Sequence, residues 1–141
     1  MSGRFTWRSR YTVLTILFGT WIVSYMDRIV MAVAMPYIAS DFALSPVASG
    51  YVLSAFFAAY SLSHIPGGML ADRFGVRGVT TVALLWWSAF TAITGLAANA
   101  VQMVIARFFF GLGEGVFPAC AFKTISAWFP KGERTMANAI M

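Results

Sequence analysis

The chain has 141 residues, 60% of them hydrophobic, and a mean hydropathy of +0.75. That composition belongs to a membrane protein, and nothing outside the apolar runs is long enough for a soluble domain. The net charge of +5 sits in short clusters between those runs, which argues against a nucleic-acid partner, and the single cysteine, Cys120, leaves no internal disulfide and no metal-ligand spacing.

Residues 1–10 read as a short cytoplasmic tail carrying Arg4, Arg8 and Arg10, with Trp7 and Tyr11 placed to anchor a helix at the interface. Residues 11–141 read as a partial helical bundle. Four apolar spans fit a bilayer core of about 20 helical residues, at about 11–38, 46–71, 79–97 and 100–122. The first is too long for a signal peptide and carries a charge pair. Between Tyr11 and Ile38 its only charges are Asp27 and Arg28, near mid-membrane. Each costs roughly 2.5–3.5 kcal/mol at that depth, and ionisable groups placed there usually line a pathway for protons, ions or solutes. This helix is expected to end near Pro36-Tyr37.

Ser45-Pro46 reads as the start of the second helix, with Ser as the cap and Pro in the first helical position. Tyr60 lies at its mid-depth, where a buried hydroxyl needs a partner. His64 follows one turn on, and a lone histidine there fits packing better than proton relay. Pro66, Gly67 and Gly68 should bend or thin the end of this helix. Asp72 to Gly78 reads as a tight charged turn. The third helix has no charge, and Trp86-Trp87 in its middle read as lipid-facing bulk. Ala98-Asn99-Ala100 is a minimal turn into the fourth helix. Trp128 and Phe129 suit the interface beyond it, and a fifth helix starts near residue 135.

Basic residues fall before the first span, after the second (Arg73, Arg77) and after the fourth (Lys123, Lys131, Arg134). The other two connections carry no Lys or Arg, only Asp41. By the positive-inside rule the N-terminus is cytoplasmic.

The fourth helix carries Arg107 and Glu114. With Gly111 and Pro118 they are spaced by four, three and four, so all fall on one face. Arg107 and Glu114 stand two turns apart, about 10.5 Å along the axis. That is too far for a tight pair, but both can address one cavity. Gly111 and Gly115 allow close helix contact. Asp27 and Arg28 point about 100° apart and do not pair with each other. Asp27 and Glu114 balance Arg28 and Arg107, so a neutral cross-helix network around a wet cavity is the natural arrangement. Burial favours the neutral form of a carboxyl group and a neighbouring arginine the ionised form, so an acid held between the two can take up and release protons. Arginine offers a bidentate fork for a carboxylate. The set suits proton-coupled binding of a small organic anion. No nucleophile–base pair, metal cluster or phosphate loop is present, so an enzyme is not expected, and neither is a cofactor or a bound metal.

Gly68-Met69-Leu70-Ala71-Asp72-Arg73-Phe74-Gly75-Val76-Arg77 resembles the loop between helices 2 and 3 of the major facilitator superfamily, with Val76 a departure where a basic residue often sits. The resemblance implies a cytoplasmic charge lock built on Gly68, Asp72, Arg73, Gly75 and Arg77, with partners in a second half of the fold. Tyr25-Met26-Asp27-Arg28, Tyr60 before Ile65-Pro66-Gly67-Gly68, Arg107 with Gly111-Leu112-Gly113-Glu114-Gly115, and Trp128-Phe129-Pro130 before Glu133-Arg134 look like its anion:cation symporter family, which takes sugar acids such as hexuronate and hexonate, or aromatic carboxylates. His64 departs from the Gln of many sugar-acid members. Carried over by position, Asp27 and Glu114 are proton-coupling acids, Arg28 holds the substrate carboxylate, Tyr60 contacts substrate hydroxyls, and Arg107 tunes or pairs with the acids. The implied fold is all-α, with twelve transmembrane helices in two halves built of inverted repeats. This chain then reads as an N-terminal fragment of an inner-membrane symporter, lacking its C-terminal half. The competing reading is a self-contained four-helix oligomer, such as a small exporter or assembly factor.

Overall fold

The computed structural model describes residues 7–141, and the side chains from Ser9 onward. Most of the basic tail, including Arg4, Arg8 and the Trp7 ring, lies outside the described residues. Five helices follow in order: α1 (Trp7–Asp41), α2 (Pro46–Phe74), α3 (Val76–Gly95), α4 (Ala100–Trp128) and α5 (Arg134–Ile140). Three of them, α1, α3 and α4, are long and apolar enough to cross a membrane. The fourth expected span, α2, has the length at 29 residues. It falls short in apolarity because serines and tyrosines recur along it.

Helix α1 does not end at Pro36. It runs on to Asp41 with Pro36 inside it. Proline removes one backbone donor, but the turns beyond it still gain a hydrogen bond per residue, so the helix continues. It closes with Leu44 N–H donating to Ala39 O (2.8 Å) and Ala43 N–H to Ser40 O (3.3 Å). This is a Schellman ending with Ala43, at φ 50°, where glycine is usual.

The other ends follow local chemistry. Ser45 Oγ accepts from Ala48 N–H (3.1 Å) and Pro46 opens α2. Asn99 Oδ1 accepts from Gln102 N–H (3.0 Å), and Gln102 Oε1 in return accepts from Ala98 N–H (2.9 Å). The charged turn expected over 72–78 is shorter than its composition suggested. Asp72 and Arg73 are still helical, Arg77 is already in α3, and the reversal takes one residue, Gly75 at φ 84°. Helix α4 also runs past the expected end near 122 to Trp128, where Arg134 caps it by donating to Phe129 O and Ser126 O.

Helix α4 is the centre of the bundle and packs along α2 and α3. Its glycines make this possible. Gly111 and Gly115 face α2: a Cβ on Gly111 would meet Phe56 O at 2.5 Å, and one on Gly115 would overlap Tyr60 O and Ser63 Oγ. Gly113, some 200° around the helix from each, faces α3, where a Cβ would meet Trp86 Cδ1 at 2.6 Å and Trp87 N at 3.2 Å. Helix α1 lies to one side and buries little more than Leu14, Leu17, Ser24, Met31 and Met35. Its other faces expose Ile16, Ile22, Val23, Ile29 and Val33. The core forms two apolar clusters. One gathers around Phe56, Trp87, Phe110 and Phe117, the other around Met31, Met35, Val52 and Met103.

Two ion pairs tie helix ends together. Arg10 meets Glu133 at 3.4 Å, joining the start of α1 to the start of α5. Lys123 meets Asp72 at 2.6 Å, joining the end of α2 to the last part of α4. Basic residues Arg10, Arg73, Arg77, Lys123 and Arg134 thus share one end of the bundle.

Candidate functional site

The charges of α1 and α4 meet between the two apolar clusters. Ser24, Asp27 and Arg28 are spaced by three, four and one on α1, so Ser24 and Arg28 share a face turned toward α4. Glu114 of α4 is fully buried. It accepts a hydrogen bond from Ser24 Oγ–H. Arg28 Nε–H reaches both of its carboxylate oxygens at 3.3 Å, and Arg28 Nη2 donates to Ser24 Oγ at 3.4 Å. A buried carboxylate needs such donors, because desolvating it without them is prohibitive.

The Arg28 guanidinium also sits among three rings. Its central carbon is 4.5 Å from the Tyr60 ring centre and 5.3 Å from those of Tyr25 and Phe56. Each ring face attracts the cation. Tyr60 is itself braced by His64, whose ring packs edge-on at 4.5 Å and whose Nδ1 lies 2.7 Å from Tyr60 O. In this structure His64 has a packing role.

The four charges do not close into one ring of salt bridges. Arg28 and Glu114 pair, but Asp27 turns to α3, where its Oδ2 accepts from Trp87 Nε1–H at 2.9 Å. Arg107 is attracted by both Asp27 and Glu114. No ion pair to it is found among the described residues. Its side chain is buried, its guanidinium lies 5.1 Å from the Phe110 ring centre, and its Nε has no hydrogen-bond partner. Arg107 and Arg28 line one cavity of about 130 Å³ between α1, α2 and α4, walled by Met31, Val52, Phe56 and Phe57. Two arginines facing one small cavity, with a single buried carboxylate behind them, make a setting for an anion.

Trp87 corrects the reading of Trp86-Trp87 as lipid-facing bulk. Trp86 is 41% exposed, but Trp87 is 3% exposed and bonded to an acid. Adjacent helical residues point about 100° apart, so one can face lipid while the next faces the core. Three site residues escaped the sequence reading: Ser24, Trp87 and Phe56. Only Ser24 carried a signal, a hydroxyl one turn before Arg28 on the same face.

In the gate motif, Asp72 is exposed and pairs with Lys123, whose Nζ also donates to Gly68 O at 2.6 Å. Within the described residues, the partner of Asp72 comes from α4. Arg73 lies over Phe74 at 5.4 Å, and Arg77 is exposed at the start of α3. Gly67 brings the two helices together nearby, since a Cβ on it would meet Val116 Cα at 2.8 Å.

A profile of the Major Facilitator Superfamily matches residues 16–141. The chain belongs to that family. A probable galactarate/D-glucarate transporter of Escherichia coli is 42% identical over 139 residues, covering 94% of this chain and 31% of that protein. A probable galactarate/D-glucarate transporter of Pseudomonas putida is 39% identical, over 94% of this chain and 30% of its own length. A hexuronate transporter of Bacillus subtilis is 33% identical, over 90% of this chain and 30% of its own length. The chain therefore spans about a third of the curated relatives it matches. Those relatives are transporters, not enzymes, and the family together with several long apolar helices makes this a multi-pass membrane protein.

Proposed function

We propose that this chain forms part of a proton-coupled symporter for a small organic anion of the sugar-acid class, in the inner membrane with its N-terminus cytoplasmic. The observation that carries this reading is Glu114, a fully buried carboxylate whose partners are Ser24 and an arginine that also borders the cavity. In this reading Glu114 and Asp27 carry the protons. Arg28 gives Nε to Glu114 and an Nη2 hydrogen to Ser24, and its Nη1 side faces a substrate carboxylate in this reading. Tyr60 contacts the substrate hydroxyls, and Arg107 adds positive charge to the cavity. When Glu114 is protonated its hold on Arg28 weakens, so the guanidinium is freer for an anion, and proton and substrate favour each other's binding. The names of the relatives, galactarate/D-glucarate and hexuronate transporters, support the sugar-acid class over an aromatic carboxylate. The shared basic end of the bundle supports the topology by the positive-inside rule, with α2 as a fourth span beside α1, α3 and α4. The gate role of Gly68, Asp72, Arg73, Gly75 and Arg77 rests on the motif and on the Asp72–Lys123 pair. The rest of a full-length relative would supply the other wall of the site.

The test is Glu114→Gln in the full-length protein in proteoliposomes. Proton-driven uptake should be abolished while substrate exchange across the membrane persists. Equal loss of both would refute the role of Glu114 as a coupling acid.

A further inference from the structure

Among the described residues, Asp27 has one hydrogen-bond donor from outside its own helix, the Trp87 indole on α3. Trp87 Nε1 lies 2.9 Å from Asp27 Oδ2. The indole is almost fully buried, and it packs edge-on against Phe117, with 6.1 Å between ring centres. Phe117 in turn packs on Trp21 of α1 at 5.5 Å. The approach of α3 depends on Gly113, which lets the Trp87 backbone come within contact of α4. A tryptophan N–H can only donate, so it bonds more strongly to a carboxylate than to a protonated carboxyl group, whose oxygens are weaker acceptors.

We propose that Trp87 is a positioning residue for Asp27: its N–H turns the carboxylate away from Arg28 and toward α3, so that protonation of Asp27 is felt by α3 as the loss or weakening of that bond. Arg28 is next to Asp27 in the chain, and the charges that act on Asp27 come from α4, Arg107 and Glu114. The contact from α3 is uncharged and directional, and it fixes which rotamer those charges act on. Without it, Asp27 can swing toward the arginines and form a static ion pair. This inference rests on reading Asp27 as a proton-carrying acid.

The test uses the full-length protein in proteoliposomes, with proton-driven uptake and substrate exchange measured side by side. Trp87→Phe keeps an aromatic ring and deletes the donor. Trp86→Phe is the control, because it also deletes one indole hydrogen bond, the 2.8 Å bond to Phe109 O, without touching Asp27. A hydrogen bond to a charged group corresponds to roughly tenfold or more. Trp87→Phe should therefore lower proton-driven uptake at least about tenfold while exchange stays within about twofold, and Trp86→Phe should leave the ratio of the two unchanged. Uptake and exchange falling together in Trp87→Phe, or an equal change of ratio in Trp86→Phe, would overturn the proposal. Asp27→Asn separates the two levels. If it loses proton-driven uptake and Trp87→Phe does not, the proposal alone fails. If Asp27→Asn keeps proton-driven uptake, the reading of Asp27 fails and the role of Trp87 falls with it. Should Trp87→Phe not fold, indole N–H resonances of the [15N]tryptophan-labelled protein decide. One of them should move upfield in Asp27→Asn, and no movement would overturn the proposal.

Discussion

Gly115→Ala adds one methyl group where, among the described glycines, a Cβ has the least room. The new Cβ would overlap Tyr60 O and Ser63 Oγ and would lie 3.0 Å from the Tyr60 carbonyl carbon. Two of those three atoms are backbone in the middle of α2, so no rotamer change relieves the clash. The whole of α2 has to move outward, and α2–α4 is the most extensive helix pair. Overpacking of this kind costs about 1–3 kcal/mol, partly offset by the roughly 0.5–1 kcal/mol that alanine gains over glycine inside a helix. The displaced residue is Tyr60, whose ring lies 4.5 Å from the Arg28 guanidinium, so the substitution should also weaken anion binding. Gly78→Ala in α3 is the comparison, because nothing lies within 4 Å of its Cβ position. Only the helix-propensity gain applies there. Thermal unfolding of the full-length protein in detergent, with binding measured by calorimetry, reads both effects. Gly115→Ala should lower the midpoint, by about 2 °C for each kcal/mol of net cost, and reduce affinity, while Gly78→Ala should match or exceed the parent. A Gly115→Ala midpoint at or above the parent's would refute the packing argument, and so would an equal fall in Gly78→Ala.

Two further outcomes follow from the site geometry. Arg28→Lys replaces a delocalised fork among three rings with a point charge, so substrate affinity should fall tenfold or more, about 1.4 kcal/mol; unchanged affinity by calorimetry would remove Arg28 from the site. Ser24→Ala deletes a donor to a fully buried carboxylate, which should destabilise the protein by about 1.5–3 kcal/mol. In a Glu114→Gln background the same change should cost clearly less, and additive thermal shifts in the double variant would show that the two side chains do not act together.

Much of the site could be read from residue type and spacing. Asp27, Arg28, Arg107 and Glu114 were conspicuous because charge is costly in an apolar helix, whatever the helix packs against. Gly111 and Gly115 pointed to a close helix contact for the same kind of local reason. The pairing of the charges could not be read. Composition suggested one neutral network, but the structure divides it: Arg28 with Glu114 and Ser24, Asp27 with Trp87, and Arg107 beside the cavity with its Nε unpaired. Which acid meets which arginine depends on how α1 is rotated against α4 and how deeply α3 sits, and a hydropathy pattern carries neither quantity.

Trp87 shows the boundary most clearly. Next to Trp86 in an uncharged helix, it has nothing in its sequence to mark it as a partner of an acid sixty residues earlier. Its role appears only once Gly113 lets α3 close on α4. The helix ends divide in the same way. Ser45-Pro46 and Asn99 start helices through bonds made within four residues, so sequence alone determined them. The passage of α1 through Pro36 and the reduction of the charged turn to Gly75 were decided by how the helices continue and pack around those points. Sequence by itself determined an apolar helical chain with charge buried in two of its helices, because the cost of burying charge and the propensity for helix are local. Tertiary structure decided which of those charges touch, because that depends on the rotation and depth of helices far apart in the chain.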